Sequence, residues 1–473
     1  MKDQPPLPQP VWDTLSVEAQ AAVSALVRCL EQKIAGLEER LGKNSTNSSR
    51  PPSSDPPSVK RRPPAPATGK KRGGQPGHHR KARSLVPPEQ LRQVIDCKPP
   101  RCRWCKDALA GDDPEPIRHQ VAEVPPVTPV VDEYRLHRLT CPRCRTSTCA
   151  TLPLGVPAGA FGPRLRAILT VLVGGYRLGK RPARQLVFDL LGLTISVGMI
   201  SRLERQAAEE LEAPVEELRQ YVRNAAVAHI DETSWWQGRE KMWLWAAVTR
   251  AVTVFTIAPT RGADVAREML GTDDRKVVVS DRFRSYLWIK RRQYCWAHLD
   301  RDFQAMIDRG GQSAEVGRLL LGHSERMFGW WHRVRDGTMA RATLRSKVAM
   351  MRLSFREDLR GGLGCGCSKT AATCRELLAG EGHLWTFVRV EGVEPTNNDA
   401  ERALRHGVIY RKLSGGTDSE AGSRFVERIL SVVATCRQRE INVLEYLTRC
   451  YQAHLEGQAV PSLLPAAPQT QAA

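Results

Sequence analysis

Beyond Asn224 the chain breaks into short apolar runs whose order leaves few folds open. "AAVAHIDET" is followed by "MWLWAAVT", "AVTVFTIAP" and, after a helical stretch, "KVVVSDRF". Runs this short, rich in β-branched and aromatic residues, predict strands rather than helices. The second and third are joined by a tight turn around Arg250. The first and the last of the four reach acids, Asp231 and Asp281. Three strands, a helix and a further strand predict an α/β domain.

In the ribonuclease-H-like version of that layout, the first and fourth strands lie side by side. Asp231 and Asp281 then become neighbours. Paired carboxylates repel, and one takes up a proton. A divalent cation removes that cost, and magnesium binds through one or two carboxylates plus phosphate and water. Two ions about 4 Å apart stabilise both the attacking and the leaving oxygen at phosphorus. Either Asp alone is also explained as a cap on the following turn. On matching strands, the pair favours a metal site. Glu232 is the weaker alternative to Asp231, because side chains alternate along a strand and it faces away. Asp273 and Asp274 precede their strand and read as turn residues.

Such a site needs one more carboxylate, and the stretch "EPTNNDAERALRHGVIYRKLSGG" offers Glu401. The plain reading is a capping box, with Asn398 as the cap and Glu401 reaching back. Glu401 and Arg405 also stand four apart, at ion-pair spacing on a helix. Capping leaves Arg402, Arg405, Arg411 and Lys412 unexplained. That density of charge suits a helix laid along phosphates; a solvated face is the alternative. Asp399 and Glu394 are weaker ligand candidates. The long separation of Asp281 from Glu401 predicts a helical insertion, about 310–391. Just before it, Cys295 and His298 of "CWAH" offer a second metal pair with Cys365 and Cys367, or simple packing and a hydrogen bond. Trp330 and Trp331 read as core or as a base-stacking platform.

The N-terminal half supplies charge and cysteines. The net charge is +20, which points to a polyanionic partner. No run approaches the roughly 18 apolar residues of a membrane span. "MKDQPPLPQPVWD" has no signal-peptide core, so the expected location is the cytoplasm. Val23, Val27, Leu30, Ile34, Leu37 and Leu41 form a heptad seam, predicting a coiled coil and self-association. Lys43–Ser84 is Pro-, Ser- and Lys/Arg-rich and reads as a disordered basic linker. Its Lys70, Lys71, Arg72, Arg80 and Lys81 are expected to contact DNA. Cys102, Cys105, Cys141 and Cys144 form two CxxC pairs, the ligand set of a structural zinc site. Cys97 and Cys149 are possible substitutes. "RPARQLVFDLLGLTISVGMISRLERQ" has a helix-turn-helix outline: a helix to Leu191, a turn at Gly192 and a second helix capped by Ser196.

These motifs together resemble the insertion-sequence-66 family of bacterial transposases, of the TnpC type. The resemblance is carried by "HIDETSWW", "VVVSDRFRSYLWIKRRQYCWAHLDRDF", "NNDAER" and the leader "RLGKNSTNSSRPPSSDPP" with "KKRGGQPGHHR". It implies a DDE recombinase with Asp231, Asp281 and Glu401 as catalytic ligands of magnesium or manganese. Asp231 is expected to bridge two ions, with Asp281 and Glu401 on one each. It further implies cleavage of transposon ends and joining of their 3′-hydroxyls to target DNA, with small accessory proteins as partners. "CRWCKD" departs from the Cys-Gly usual in such zinc knuckles. The expected organisation is a helix over 1–42, the linker over 43–84, a zinc-binding domain over 85–155 and a helical DNA-binding domain over 156–222. The catalytic domain follows over 223–455, then a disordered tail over 456–473. The rival readings are a nuclease or resolvase on the same fold, and a DNA-binding protein without catalysis.

Overall fold

The computed structural model describes residues 6–48, Asp55 and residues 84–465. The linker residues Lys70, Lys71, Arg72, Arg80 and Lys81 lie outside the described residues, as do the last eight positions. The chain divides into two compact units, residues 60–131 and all the rest, and each is described by itself. The expected zinc-binding segment straddles that division. In the smaller unit, Gln120 exchanges two hydrogen bonds with the main chain of Val86, at 2.8 and 2.9 Å.

The larger unit begins with α1 (Gln9–Trp12) and α2 (Val17–Gly42). Ser16 caps α2 by accepting from the Ala19 amide. The seam residues Leu30, Ile34, Leu37 and Leu41 are exposed. A short hairpin of β1 (Arg138–Thr140) and β2 (Ser147–Cys149) precedes four helices: α3 (Pro163–Thr170), α4 (Lys180–Leu191), α5 (Val197–Glu210) and α6 (Glu212–Asn224). α3 runs on into a π-helical turn, Val171–Gly175. α4 stops where Gly192 takes a left-handed φ of 66°, and the Ser196 hydroxyl caps α5. The helix pair outlined by the sequence is therefore present between Lys180 and Glu210.

Next come β3 (Val227–Gln237), β4 (Glu240–Val248), β5 (Thr253–Ala258), α7 (Ala263–Leu270), β6 (Val277–Ser280) and β7 (Arg291–Tyr294). They form one sheet in the order β5-β4-β3-β6-β7. β3, β4 and β5 run antiparallel as a meander, while β6 is parallel to β3 and β7 parallel to β6. β6 is buried along its whole length, as a parallel strand covered on both faces must be. At its entry the buried Lys276 donates to the main-chain carbonyls of Val222, Arg223 and Leu270, tying together the ends of α6 and α7. Burial lowers the pKa of that ammonium to about 8.

Between β7 and the last three helices lies a helical body: α8 (Trp296–Asp308), α9 (Gly311–Arg335), α10 (Arg341–Leu363), α11 (Ser368–Ala379) and the short α12 (Thr386–Arg389). α9 to α12 lie within the span 310–391, and α8 precedes it. The core of this body is aromatic, with Trp296, Phe303, Phe355 and Trp385 all fully buried. Trp331 packs edge-on against Phe387, and its indole donates to Glu394 at 3.3 Å. The base-stacking role considered for Trp331 gives way to burial.

α13 (Asn398–Ser414), α14 (Glu420–Gln438) and α15 (Val443–Leu455) complete the unit. α14 lies along the outer edge of β5. Its Thr435 and Ser431 hydroxyls accept from the amides of Thr253 and Phe255 at 3.1 and 2.8 Å, and Glu427 accepts from Ile257. α13 crosses the sheet and ends in a clasp on the β3–β4 turn. There Thr417 donates to Trp236 at 2.9 Å, and Gly238 donates back to Thr417 at 2.7 Å. Gly416 sits in the clasp with φ 120°, and a Cβ on it would overlap the Trp236 carbonyl oxygen. Gly416→Ala is therefore expected to destabilise the protein by about 1–3 kcal/mol. A urea midpoint within error of wild type would show that the clasp tolerates a side chain.

A candidate metal centre at the ends of two parallel strands

The register of β3 and β6 decides where the two aspartates stand. Val227 pairs with Val277, Ala228 with Val278 and His229 with Val279. Carried two residues on, the same register sets Asp231 level with Asp281. Asp281 follows the last residue of β6, and its Oδ1 accepts from the Phe283 amide at 2.9 Å. Burial pushes the Asp231 carboxyl well above the usual carboxylate range, and the negative charges of Glu232, Asp281 and Glu401 add to it. Acids on three separate elements thus act on one carboxyl group.

Glu232 belongs to the other face of the strand, as the alternation predicts. Its carboxylate is buried and held by Arg261 and by the Tyr286 hydroxyl. Arg261 is itself stacked on Phe283, 3.6 Å from the ring centre. Burial raises the Glu232 pKa, while Arg261 and Tyr286 oppose the rise. With both oxygens occupied, Glu232 supports the strand.

Glu401 arrives on α13, and its placement corrects the capping reading. The helix starts one residue earlier than a cap at Asn398 requires, so the cap position is Asn397. The side chain of Asn397 does not cap: its Nδ2 donates to the Ile230 carbonyl at 2.8 Å. Glu401 then stands at the fourth helical position, too far along to close a capping box. It turns instead toward His298, with Oε1 3.6 Å from Nδ1. The Cys295 thiol completes the group, and ligand atoms of Cys295, His298 and Glu401 all lie within 4.8 Å of one another. Neither Glu401 Oε1 nor His298 Nδ1 has a hydrogen-bond partner among the described residues. Burial pushes the Cys295 thiol up to about 12 and lowers the His298 pKa against the pull of Glu401. Both are therefore neutral at pH 7. The partner of "CWAH" is Glu401. Cys365 and Cys367, considered for that place, are absent from the group; Cys365 acts on Cys374 instead.

A relay of hydrogen bonds holds these elements in place. Cys295 donates its amide to the Ser280 carbonyl at 3.0 Å, and Asn397 donates its amide to the Cys295 sulfur at 3.1 Å. Asn397 then reaches Ile230 through its side chain. Ser280 adjoins Asp281 and Ile230 adjoins Asp231, so the relay passes beside every acid of the trio. The weaker candidates are engaged elsewhere. Asp399 pairs with Arg402 and lies 3.9 Å from His229, and Glu394 accepts from Trp331.

Of the basic residues on α13, Arg402, Arg405 and Lys412 are exposed. Arg411 is not part of that outward face. Its guanidinium turns inward to the Ser234 carbonyl and hydroxyl, because α13 lies against β3 there. The two CxxC segments form matching turns. Cys102 donates its amide to Asp107 at 2.8 Å, and Cys141 donates to Thr146 at 2.9 Å. Lys106 and Arg145, each just after the second cysteine, take left-handed φ angles of 68° and 57°. That is the position where glycine is usual, so the knuckle shape survives without it. Hydrogen bonds from the turn backbone lower the Cys102 pKa, and Thr146 lowers that of Cys144 to about 7. Cys97 and Cys149 are exposed.

Comparison with known proteins places this arrangement. The family model described as transposase IS66 family matches residues 159–424, more than half of the chain. The chain belongs to the transposase IS66 family. Asp231, Asp281, His298 and Glu401 all fall inside the IS66 match. A second model, a family of unknown function, DUF6444, matches residues 7–84. A curated relative is the uncharacterized protein y4qI of Sinorhizobium fredii (strain NBRC 101917 / NGR234). It is 26% identical over 241 residues, 44% of this chain and 43% of that protein. The chain thus matches less than half the length of that relative. Among the described residues of this IS66-family chain, no helix is long and apolar enough to cross a membrane.

The clustered acids have a consequence for stability. With its pKa above the ordinary aspartate value, Asp231 binds a proton in the folded state that the unfolded state has released. Its contribution to stability therefore falls as pH rises from about 4 through the raised value. Asp231→Asn removes that slope. In EDTA at pH 7 the variant is expected to be more stable than wild type, and the difference to shrink as the pH is lowered to 4. Equal stability at pH 4 and pH 7 for both proteins would show that the carboxyl is not held against its neighbours.

Proposed function

We propose that this protein is a DNA transposase that cleaves transposon ends and joins their 3′-hydroxyls to target DNA. The observation that carries the reading is the convergence of Asp231, Asp281 and Glu401, inside a span matched by the IS66 transposase model. The β5-β4-β3-β6-β7 order, a meander followed by parallel strands, supports a ribonuclease-H-like assignment for the sheet.

The donor set fits a hard divalent cation. Asp231 carries a pKa raised first by burial and further by the carboxylates around it, and Glu401 Oε1 is buried without a partner among the described residues. Asp231, Asp281 and Glu401 would hold magnesium or manganese through oxygen. Such a cation polarises the phosphoryl oxygens and eases deprotonation of the attacking water or hydroxyl. The chain's own part is positional. Asn397 fixes the start of α13 against the strand that carries Asp231. His298, kept neutral by burial, faces Glu401 and limits its rotation. Cys295 stays a protonated thiol and serves the relay. Hydrolysis of one phosphodiester at each end frees a 3′-hydroxyl, which then displaces an oxygen at phosphorus in the target strand. No covalent link to the enzyme is needed, so no Ser or Tyr nucleophile is required.

Further parts of the chain fit DNA handling. The exposed Arg402, Arg405 and Lys412 are suited to phosphate contacts beside the acids, and the α4–α5 pair to groove binding. The basic linker is proposed as a further DNA contact. The exposed α2 seam is suited to self-association as a coiled coil. The cysteines of both turns are proposed as ligands of structural zinc, and small accessory proteins to assist. The proposed place of action is the cytoplasm, on nucleoid DNA.

The decisive measurement is cleavage and joining of end DNA with magnesium. Asp231→Asn, Asp281→Asn and Glu401→Gln are each expected to lower both rates by at least about 10²–10³-fold, as when an electrostatic stabiliser of a transition state is removed. Joining by Asp231→Asn at the wild-type rate would overturn the metal-site reading. Hydrolysis without joining by wild type would make the protein a nuclease. Elemental analysis is expected to find zinc in equimolar amount with the purified chain, lost in a Cys141→Ser, Cys144→Ser double variant. Zinc unchanged in that variant would assign the ion to other ligands.

A further inference from the structure

We propose that Arg177, His406 and Arg437 form a phosphate cradle for the DNA backbone, separate from the acid cluster. The inference rests on the transposase reading for its ligand and adds a binding site to it. The three residues come from three segments: the bend before α4, α13 and α14. Arg177 Nη1 donates to His406 Nδ1 at 3.0 Å. Arg437 stands beside them, over the ring of Tyr176 at 5.8 Å. They rim a hollow floored by apolar groups including Gly175, Phe255 and Val433.

Two guanidiniums and an imidazole gathered without an acid call for an anion. Among the described residues, none of the three is ion-paired to a carboxylate, and Arg177 Nε is buried with no partner. Burial and the charges of Arg177, Arg437 and Arg405 all lower the His406 pKa. Because a guanidinium only donates, Nδ1 of His406 is the acceptor. That leaves Nε2–H as a donor, so the cluster presents hydrogen-bond donors throughout. Arg177 is also held with φ at 61°, a left-handed conformation unusual for a residue with a side chain. Its neighbours are pinned on both sides, with Tyr176 donating to Val171 at 2.8 Å and Leu178 to Leu172 at 3.0 Å.

Position selects the ligand. His406 lies about 7–8 Å along the α13 axis from Glu401, at 1.5 Å per residue. The exposed Arg402, Arg405 and Lys412 are carried on the same helix. A DNA backbone following this helix past the acids would bring a further phosphate to the cradle. A phosphodiester oxygen would accept from Arg177, Arg437 and His406 together. Contacts of this kind position DNA without reading its sequence.

The test is DNA affinity of the full-length protein as a function of salt, in EDTA, with a labelled random-sequence duplex as probe. Arg177→Gly removes the guanidinium and keeps a residue suited to positive φ. Arg437→Gln changes an exposed side chain and carries the test if Arg177→Gly does not fold. Arg250→Gln, in the β4–β5 turn, controls for bulk charge. Each cradle variant is expected to bind more weakly at low salt and to flatten the log–log salt slope by about 0.9, the loss of one phosphate contact. The effect should be the same on duplexes of different sequence. An unchanged slope in Arg437→Gln, or an equal change in Arg250→Gln, would overturn the cradle. The two readings fail separately. Normal strand joining with unchanged slopes removes the cradle alone. Flattened slopes without any joining by wild type leave the cradle standing and remove the transposase reading.

Discussion

Everything at the candidate centre depends on one buried asparagine. Asn397 links the carbonyl beside Asp231 to the sulfur of Cys295, whose own amide is bonded to the carbonyl beside Asp281. Three carboxylates that repel one another are thus carried by elements that cannot drift apart. Burial, with that repulsion added to it, keeps the Asp231 pKa raised, and the relay holds the elements together against the repulsion. The three side chains are thus held in place by the fold itself.

The rest of the sheet serves that geometry from further out. Lys276 secures the ends of α6 and α7 where β6 begins, which sets the height of Asp281. The clasp through Gly416 and Thr417 holds the far end of α13, as Asn397 holds its start. Arg411 is bonded to β3 between them. α13 is therefore fixed at both ends and in the middle, and Glu401 inherits its position from the whole helix. The helical body between β7 and α13 has its own aromatic core. It separates Asp281 from Glu401 in sequence without separating them in space.

How much of this was legible in the sequence differs from residue to residue. The strands around Asp231 and Asp281 were readable because short β-branched runs have a clear period and a shared register fixes who stands beside whom. The side-chain alternation that turned Glu232 away held for the same reason. The cap of α13 was misplaced by one residue. Asn397 and Asn398 are equally good caps locally, and a tertiary bond to Ile230 decided between them. The tie between His298 and Glu401 crosses the whole helical body, so "CWAH" was visible as a motif but its partner was not. Arg411 resembled its exposed neighbours in a list of charges, and only the packing of α13 on β3 turned it inward. Arg177, His406 and Arg437 carried no motif at all. Their meeting depends on the bend after α3 and on two later helices, and no local pattern encodes that.

The way α14 lies along β5 has a further consequence. An open sheet edge is a template on which another chain can add a strand. Here the outward amides of Thr253, Phe255 and Ile257 are already bonded to side chains of the same molecule. That rim is closed to strand exchange, so two copies of the chain cannot fuse through it into a continuous sheet.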